Sequence, residues 1–159
     1  MKAVYLLFLS ALLCCACTPA NSHVEASATS ARASQTQGAA MQLTINNHSF
    51  TADLTDTVAA QELRRLLPLT LIMQDHLGNE KHASLPQRLT TADQRPHRIE
   101  AGDVMLWQGQ TIVVFYESFD SSYHYTRLGK IRETENLKSA VGQGAVQVRF
   151  TAVHGLSNQ

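Results

Sequence analysis

Two apolar runs in the middle of the chain constrain the fold most. Residues 103–107 and 111–116 are each of strand length, are almost continuously apolar, and are joined across Gly109. Such runs are typical of strands that are buried on both faces, and the short connection between them indicates a hairpin. We therefore predict that these two strands form the centre of the core.

Apolar residues that alternate with polar ones predict further strands on both sides of this hairpin. The predicted strands cover residues 41–46, 50–54, 69–73, 80–85, 123–131 and 143–152. The stretch between residues 86 and 99 is the longest irregular segment, and irregular segments of this length are often functional. Glu80 and Lys81, after the turn at Gly78, are interpreted as part of a solvated hairpin, although a polar rim around a site is an alternative.

Two short helices complete the prediction. The first begins after Asp56 or Thr57, lasts about three turns and stops at Pro68, and the second covers residues 133–141 and ends at Gly142. About eight strands and two helices favour a mainly β fold, a closed eight-stranded barrel, because closure leaves no exposed strand edge.

The first residues are typical of an export signal. Lys2 is followed by an apolar run over residues 3–13, which is too short to span a bilayer comfortably. We predict that residues 1–17 are a signal peptide.

The end of this run resembles the lipobox of bacterial lipoproteins. Cys17 is the predicted lipidation site because the small residue Ala16 precedes it. Cys15 is an alternative, since Cys14 stands where that family usually has leucine, and an ordinary signal peptide with incidental cysteines is another. In an organism with two membranes, Thr18, rather than aspartate, after Cys17 favours anchoring to the outer membrane over the inner one.

Residues 18–40 are dominated by Ala, Ser, Thr and Gln. Such a segment buries too little apolar surface to offset the entropy of ordering, so we predict a flexible linker. The folded domain is then expected over residues 41–152, with a tail over residues 153–159. All three cysteines precede this domain, which excludes a disulfide or a cysteine-based metal site within it.

Charge argues against nucleic acid as a partner. Thirteen basic residues balance thirteen acidic ones, so no broad positive field is available to gather phosphates. The seven histidines are scattered, with no pair at ligand spacing on one predicted element. We predict neither a metal nor a cofactor.

Three stretches carry a family resemblance. They are LPLTLIMQDHLGNEKHASLP at residues 67–86, AGDVMLW at residues 101–107, and VVFYESFDSSYHYTRLGKI at residues 113–131. In combination they resemble the bacterial cyclophilin-like fold proteins. The resemblance implies an eight-stranded barrel whose ends are closed by helices, and it implies little about activity because this family is largely without an established biochemical role.

True cyclophilins resemble one another in two motifs of their prolyl isomerase site. These are a Phe-His-Arg segment and a Gln-Gly-Gly-Asp segment, and neither occurs in this chain. Gly102 and Asp103 match only the end of the second motif, so we assign no catalytic residue.

The densest candidate site surrounds the turn at residues 120–122. Five side chains in this region offer aromatic area and one positive charge: Tyr116, Phe119, Tyr123, Tyr125 and Arg127. On a strand, Tyr123, Tyr125 and Arg127 would share one face, and such a stripe can line a groove for a peptide or small molecule. The alternative is that these aromatic residues pack across the sheet.

Three functions follow as hypotheses. The first is a noncatalytic binding module for a peptide or small molecule, exported to the periplasm or the cell envelope and anchored through its N-terminal lipid. The second is a peptidyl-prolyl isomerase with a nonstandard site that uses Arg127, for which the fold is the only warrant. The third is a structural role without a small ligand. The oligomeric state is not predicted.

Overall fold

A computed structural model describes residues 39–153 of the chain. The expected signal peptide, the lipidation candidates Cys15 and Cys17, and the linker up to residue 38 lie outside these residues, as do residues 154–159. Within the described part, neither helix has the length and apolar character needed to cross a membrane.

The described part contains ten strands and two helices. In chain order they are β1 (Ala40–Ile45), β2 (His48–Leu54), α1 (Val58–Arg65), β3 (Leu69–His76), β4 (Glu80–Ser84), β5 (Arg98–Ile99), β6 (Asp103–Trp107), β7 (Thr111–Phe115), β8 (Phe119–Asp120), β9 (Thr126–Ile131), α2 (Leu137–Val141) and β10 (Val146–Val153). Eight strands close into an antiparallel barrel in the order β1-β10-β3-β4-β7-β6-β9-β2, and β5 pairs with β8 outside it. The predicted closed eight-stranded barrel is confirmed.

The hairpin of β1 and β2 shows how local sequence specifies the register. Ile45 pairs with His48, which leaves Asn46 and Asn47 as a two-residue turn with φ values of 46° and 67°. Asparagine tolerates this left-handed conformation better than most residues. The turn directs Leu43 and Ile45 into the barrel, where both are buried.

Both helices are shorter than the sequence predicts. Helix α1 begins where predicted, with the Thr57 hydroxyl accepting a 3.3 Å hydrogen bond from the backbone N–H of Ala60. It is only eight residues long, about two turns, and not three. Helix α2 begins at Leu137 and not at residue 133, because the preceding residues form a turn in which the Leu137 N–H donates to the Thr134 carbonyl.

The central hairpin of β6 and β7 is buried on both faces, as its apolar runs predict. Val104, Leu106, Ile112 and Val114 belong to the main core inside the barrel. The alternate side chains form a second, outer cluster that comprises Met105, Val113 and Phe115 together with Ile99 and Tyr125.

Two elements differ from the predicted ones where they build the outer cluster. The segment predicted to be irregular up to residue 99 ends in β5, which pairs with β8 as a small ribbon. The strand predicted from residue 123 begins at Thr126, and Tyr125 makes only an isolated bridge to Gln94. These segments pack on the apolar outer face of β6 and β7. Local sequence patterns do not predict this tertiary contact.

A glycine is required where β9 meets β2. Gly129 pairs with Leu54, and a β-carbon at this position would overlap the carbonyl oxygen of Asp53. Its role is therefore close backbone approach within the barrel wall.

Candidate functional site

A groove of about 330 Å³ lies on the outer face of the barrel. Strands β4 and β7 supply its floor through His82 and Val113, which are cross-strand partners. The segment that follows β7 contributes the aromatic side chains of Phe119, Tyr123 and Tyr125. The remaining lining residues come from the end of β3, the turn into β4, and the outer ends of β4, β6 and β7: His76, Leu77, Asn79, Glu80, Trp107 and Thr111.

Exposed apolar side chains concentrate at this groove. Leu77 is 82% exposed, Tyr123 64% and Trp107 37%, and these are three of the six large hydrophobic residues that are exposed in the described part. The other three are Val58, Ile72 and Val153. A ligand that covers these large apolar groups removes them from water, which stabilises the complex.

The outer cluster holds the aromatic wall in place. The ring of Tyr125 meets Phe115 edge to face at 5.6 Å between centroids, and Phe119 packs on Phe115 at 5.8 Å. The backbone of Tyr125 also exchanges two hydrogen bonds with Gln94, of 2.9 and 3.0 Å. Burial raises the pKa of Tyr125 to about 12, and the nearby charge of Glu80 adds to the effect, so the hydroxyl is neutral at physiological pH.

Polar groups in the groove lack partners. Glu80 is half-buried, and burial raises the pKa of its carboxyl above the ordinary value of 4.5. The side-chain oxygen of Asn79 is buried and has no hydrogen-bond partner within the described residues. A buried polar atom without a partner costs free energy, whereas Glu80, which is only half-buried, is open to a ligand in the groove.

Two histidines from neighbouring strands also meet at the groove. The rings of His76 and His82 lie edge to face with centroids 6.0 Å apart. Across residues 39–153, however, no three histidine or acidic side chains converge in a way that would hold a metal ion.

Of the five predicted ligand-binding residues, the structure brings together Phe119, Tyr123 and Tyr125. Tyr116 lies elsewhere, with its hydroxyl donating a 2.6 Å hydrogen bond to Asp75. Arg127 also lies outside the groove, where its guanidinium donates a 2.8 Å hydrogen bond to Asp103. The single-face stripe of Tyr123, Tyr125 and Arg127 does not form, because the regular strand begins only at Thr126.

Asp103 of the AGD segment is a structural anchor. Its buried carboxylate accepts hydrogen bonds from Arg127, from Lys130 at 3.1 Å and from the Glu100 N–H at 3.0 Å. The carboxylate thereby joins the turn before β6 to strand β9. Arg127 borders a separate, smaller hollow of about 160 Å³, which shares Tyr125 with the groove.

The sequence predicts Lys81 in a solvated hairpin, and this prediction is wrong. The side chain is fully buried, and its ammonium donates to Asp75 at 2.6 Å and to the carbonyl oxygens of Gly142 and Gly144 at 3.0 and 2.7 Å. Lys81 points into the end of the barrel and Glu80 outward to the groove, because successive side chains of a strand alternate between faces.

Sequence reasoning missed Leu77, Asn79 and Trp107 as groove residues. Leu77 follows β3 in a turn with a φ of 52°, and a large apolar residue in a tight polar turn is an available signal because turns usually favour small polar residues. Trp107 is the chain's one tryptophan and ends an otherwise buried strand. No local pattern identifies Asn79.

Comparison with known proteins agrees with this architecture. Residues 43–151 match the cyclophilin-like family. The chain belongs to the cyclophilin-like family. Among solved structures, this cyclophilin-like chain is similar to the solution structure of a hypothetical protein from Archaeoglobus fulgidus, with a TM-score of 0.51 and 15% identity over 73% of this chain and 95% of that one. At such identity the similarity extends to the fold alone, and no curated protein matches the sequence.

Proposed function

We propose that this cyclophilin-like chain is a noncatalytic binding module whose outer groove takes a small molecule or a peptide group. A lipid on Cys17 would anchor the module to the cell envelope, and the linker that follows would hold it away from the membrane. The observation that carries the binding role is the concentration of exposed Leu77, Trp107 and Tyr123 around one concave surface.

The groove's size and lining also support ligand binding. A volume of about 330 Å³ lies near the lower end of the range for small-molecule sites, roughly 300–1,000 Å³. An apolar lining with a few polar atoms is the usual composition of a binding site.

Trp107 provides the means to test binding, because it is the chain's one tryptophan and lines the groove. Its fluorescence would be followed while the full chain is titrated with small aromatic fragments and proline-containing tetrapeptides. For any probe that binds, we expect Tyr123→Ala or Leu77→Ala to weaken affinity about tenfold, since each removes exposed contact area worth about 1–2 kcal/mol.

Ile72→Ala is the matched control for these variants. Ile72 is 56% exposed but does not line the groove, so its truncation should leave affinity unchanged. Equal losses for Ile72→Ala and Tyr123→Ala, or no response to any probe, would contradict the groove as the binding site.

The noncatalytic part of the proposal requires a separate assay. Prolyl isomerisation is accelerated by a donor aimed at the imide nitrogen. Among the described residues that line the groove there is no arginine, and Arg127 is engaged by Asp103. We expect no acceleration of a proline tetrapeptide in an exchange assay with a true cyclophilin as positive control. Acceleration that Tyr125→Ala abolishes would replace the binding module with an isomerase.

The anchor is tested by metabolic labelling with a fatty-acid analogue. We expect Cys17→Ala to abolish labelling and Cys15→Ala to retain it. The reverse pattern would move the lipid to Cys15, and labelling of neither wild type nor variant would remove the anchor from the proposal.

A further inference from the structure

We infer that the groove recognises a small molecule that carries an alkylammonium group, held between the aromatic side chains and the carboxylate of Glu80. This inference rests on the proposed function, because it assigns a ligand class to the same groove. It depends on the charge of the lining, the arrangement of its aromatic rings and its volume.

The charge of the lining favours a cation. Glu80 is the single acidic residue among the described residues that line the groove, and neither lysine nor arginine accompanies it. Its neighbours on the same face are His76, its cross-strand partner on β3, and Phe115, its partner on β7. A carboxylate that is partly removed from water and has no permanent countercharge is stabilised by an incoming cation and repels an anion.

Aromatic rings complete a site of this kind. Trp107, Tyr123, Tyr125 and Phe119 all line the groove, and the faces of such rings attract ammonium groups. Glu80 and Tyr125 both line this groove, so the carboxylate and the aromatic side chains border the same space. Aromatic rings beside one carboxylate are a combination suited to methylated or alkylated ammonium groups.

Arginine side chains near Tyr125 do not enter the groove. Arg95 and Arg127 border the separate smaller hollow instead. The volume of about 330 Å³ favours a small molecule over an extended peptide.

Choline and 3,3-dimethylbutan-1-ol form a matched pair of probes for the full chain. The two molecules have nearly the same shape, and only choline carries a charge, while 3,3-dimethylbutanoate supplies an anion of similar size. With Trp107 fluorescence as the readout, we expect choline to bind at least tenfold more tightly than the alcohol, and the anion to bind weakest.

Substitution isolates the contribution of the carboxylate. Glu80→Gln keeps the size of the side chain and removes its charge, so choline affinity should fall about tenfold while affinity for the alcohol stays unchanged. Glu135→Gln is the control, because Glu135 is exposed and does not line the groove. Choline affinity should not respond to it.

The outcomes separate this inference from the proposed function. Equal affinity for choline and the alcohol, with no effect of Glu80→Gln, would overturn the ammonium assignment and leave a groove that binds apolar ligands. No fluorescence response to any of the three probes or to the fragment panel would overturn both. A lysine-containing peptide that bound more than tenfold more tightly than choline would overturn the assignment to a small molecule.

Discussion

Glu80 and Lys81 are adjacent in β4 and occupy opposite environments. Lys81 is fully buried at one end of the barrel, where its ammonium has three acceptors within 3.0 Å. Glu80 is half-buried on the outer face and lines a groove that contains no lysine or arginine among the described residues. Polar groups that find their partners within the protein stabilise the fold. Polar groups without such partners in a concave surface indicate a binding site.

The interior site is a closed network. Asp75 accepts hydrogen bonds from Lys81, from the Tyr116 hydroxyl at 2.6 Å and from the Gly78 N–H at 3.2 Å. The Lys81 ammonium also lies 5.5 Å from the centre of the Tyr116 ring. Burial and the hydrogen bond to Asp75 raise the pKa of the Tyr116 hydroxyl. The network joins β3, β4 and the segment after α2.

Removal of Lys81 should have the largest effect on stability. Lys81→Met removes the ammonium that Asp75 shares with the carbonyl oxygens of Gly142 and Gly144, so we expect the free energy of unfolding to fall by about 3–5 kcal/mol in urea titrations. The control is Lys138→Met, since Lys138 pairs with Glu117 at the surface and should cost less than about 1 kcal/mol. Similar losses for the two variants would show that the buried Lys81 contributes no more to stability than a lysine at the surface.

The Tyr116 hydroxyl should contribute less. Tyr116→Phe removes one hydrogen bond to a charged group, and we expect the free energy of unfolding to fall by about 1.5–3 kcal/mol. Tyr123→Phe deletes the hydroxyl of an exposed ring that lines the groove and should change stability by less than about 0.5 kcal/mol. A larger loss for Tyr123→Phe would show that the groove, too, is held by its polar groups.

Acidification should change the free energy of unfolding in opposite directions through the carboxyls of Asp75 and Glu80. The hydrogen bond from Lys81 holds the pKa of Asp75 below 3.8, so its stabilising contribution is complete above pH 3.8 and is lost as pH falls through the lowered pKa. The pKa of Glu80 is raised above 4.5 by burial, so the free energy of unfolding decreases as pH rises through the raised value.

Urea midpoints measured from below pH 3.8 to above pH 4.5 for wild type, Asp75→Asn and Glu80→Gln test these opposite contributions of the two carboxyls. Asp75→Asn should reduce the acid-induced loss of stability below pH 3.8, to which the lowered pKa values of Asp53 and Glu62 also contribute. Glu80→Gln should remove the decrease in stability above pH 4.5. Unchanged pH profiles in both variants would mean that other carboxyls govern the acid response.

The smallest effect is expected from Glu80→Gln at neutral pH. Neutralising a partly buried carboxylate that lacks a countercharge should raise the free energy of unfolding slightly, by about 0.5 kcal/mol. Calorimetric melting of the variant against wild type measures the gain. A clear loss of stability would indicate that Glu80 belongs to the fold, and would weaken its proposed role in ligand binding.

Several strands of the barrel could be predicted because their signals are local. The central hairpin, the turn at Asn46 and Asn47, and the Thr57 cap each depend on a few neighbouring residues, and the structure contains all three. The sequence pattern predicts the start of β9 three residues too early, because Tyr123 and Tyr125 alternate with polar residues as strand residues do. Their conformation is instead set by the outer cluster and by the bridge from Tyr125 to Gln94.

The candidate site was predictable only in part. Phe119, Tyr123 and Tyr125 are close in sequence and lie in the groove, whereas Tyr116 and Arg127, equally close, are engaged by Asp75 and Asp103. Both aspartates lie at least 24 positions away from the side chains they bind. Strand pairing, and not spacing along the sequence, therefore brings these aspartates to Tyr116 and Arg127.

The mainly β fold, the closed barrel and the buried central hairpin follow from the amino-acid sequence, because period-two alternation, turn residues and apolar runs act over a few positions. The burial of Lys81, the position of Glu80 in a groove, and the presence of Leu77 and Trp107 beside the aromatic residues there depend on tertiary contacts. Closure of the barrel chooses which distant strands become neighbours and thus which charges find partners. The same closure leaves Glu80 and the exposed apolar side chains without partners in one groove.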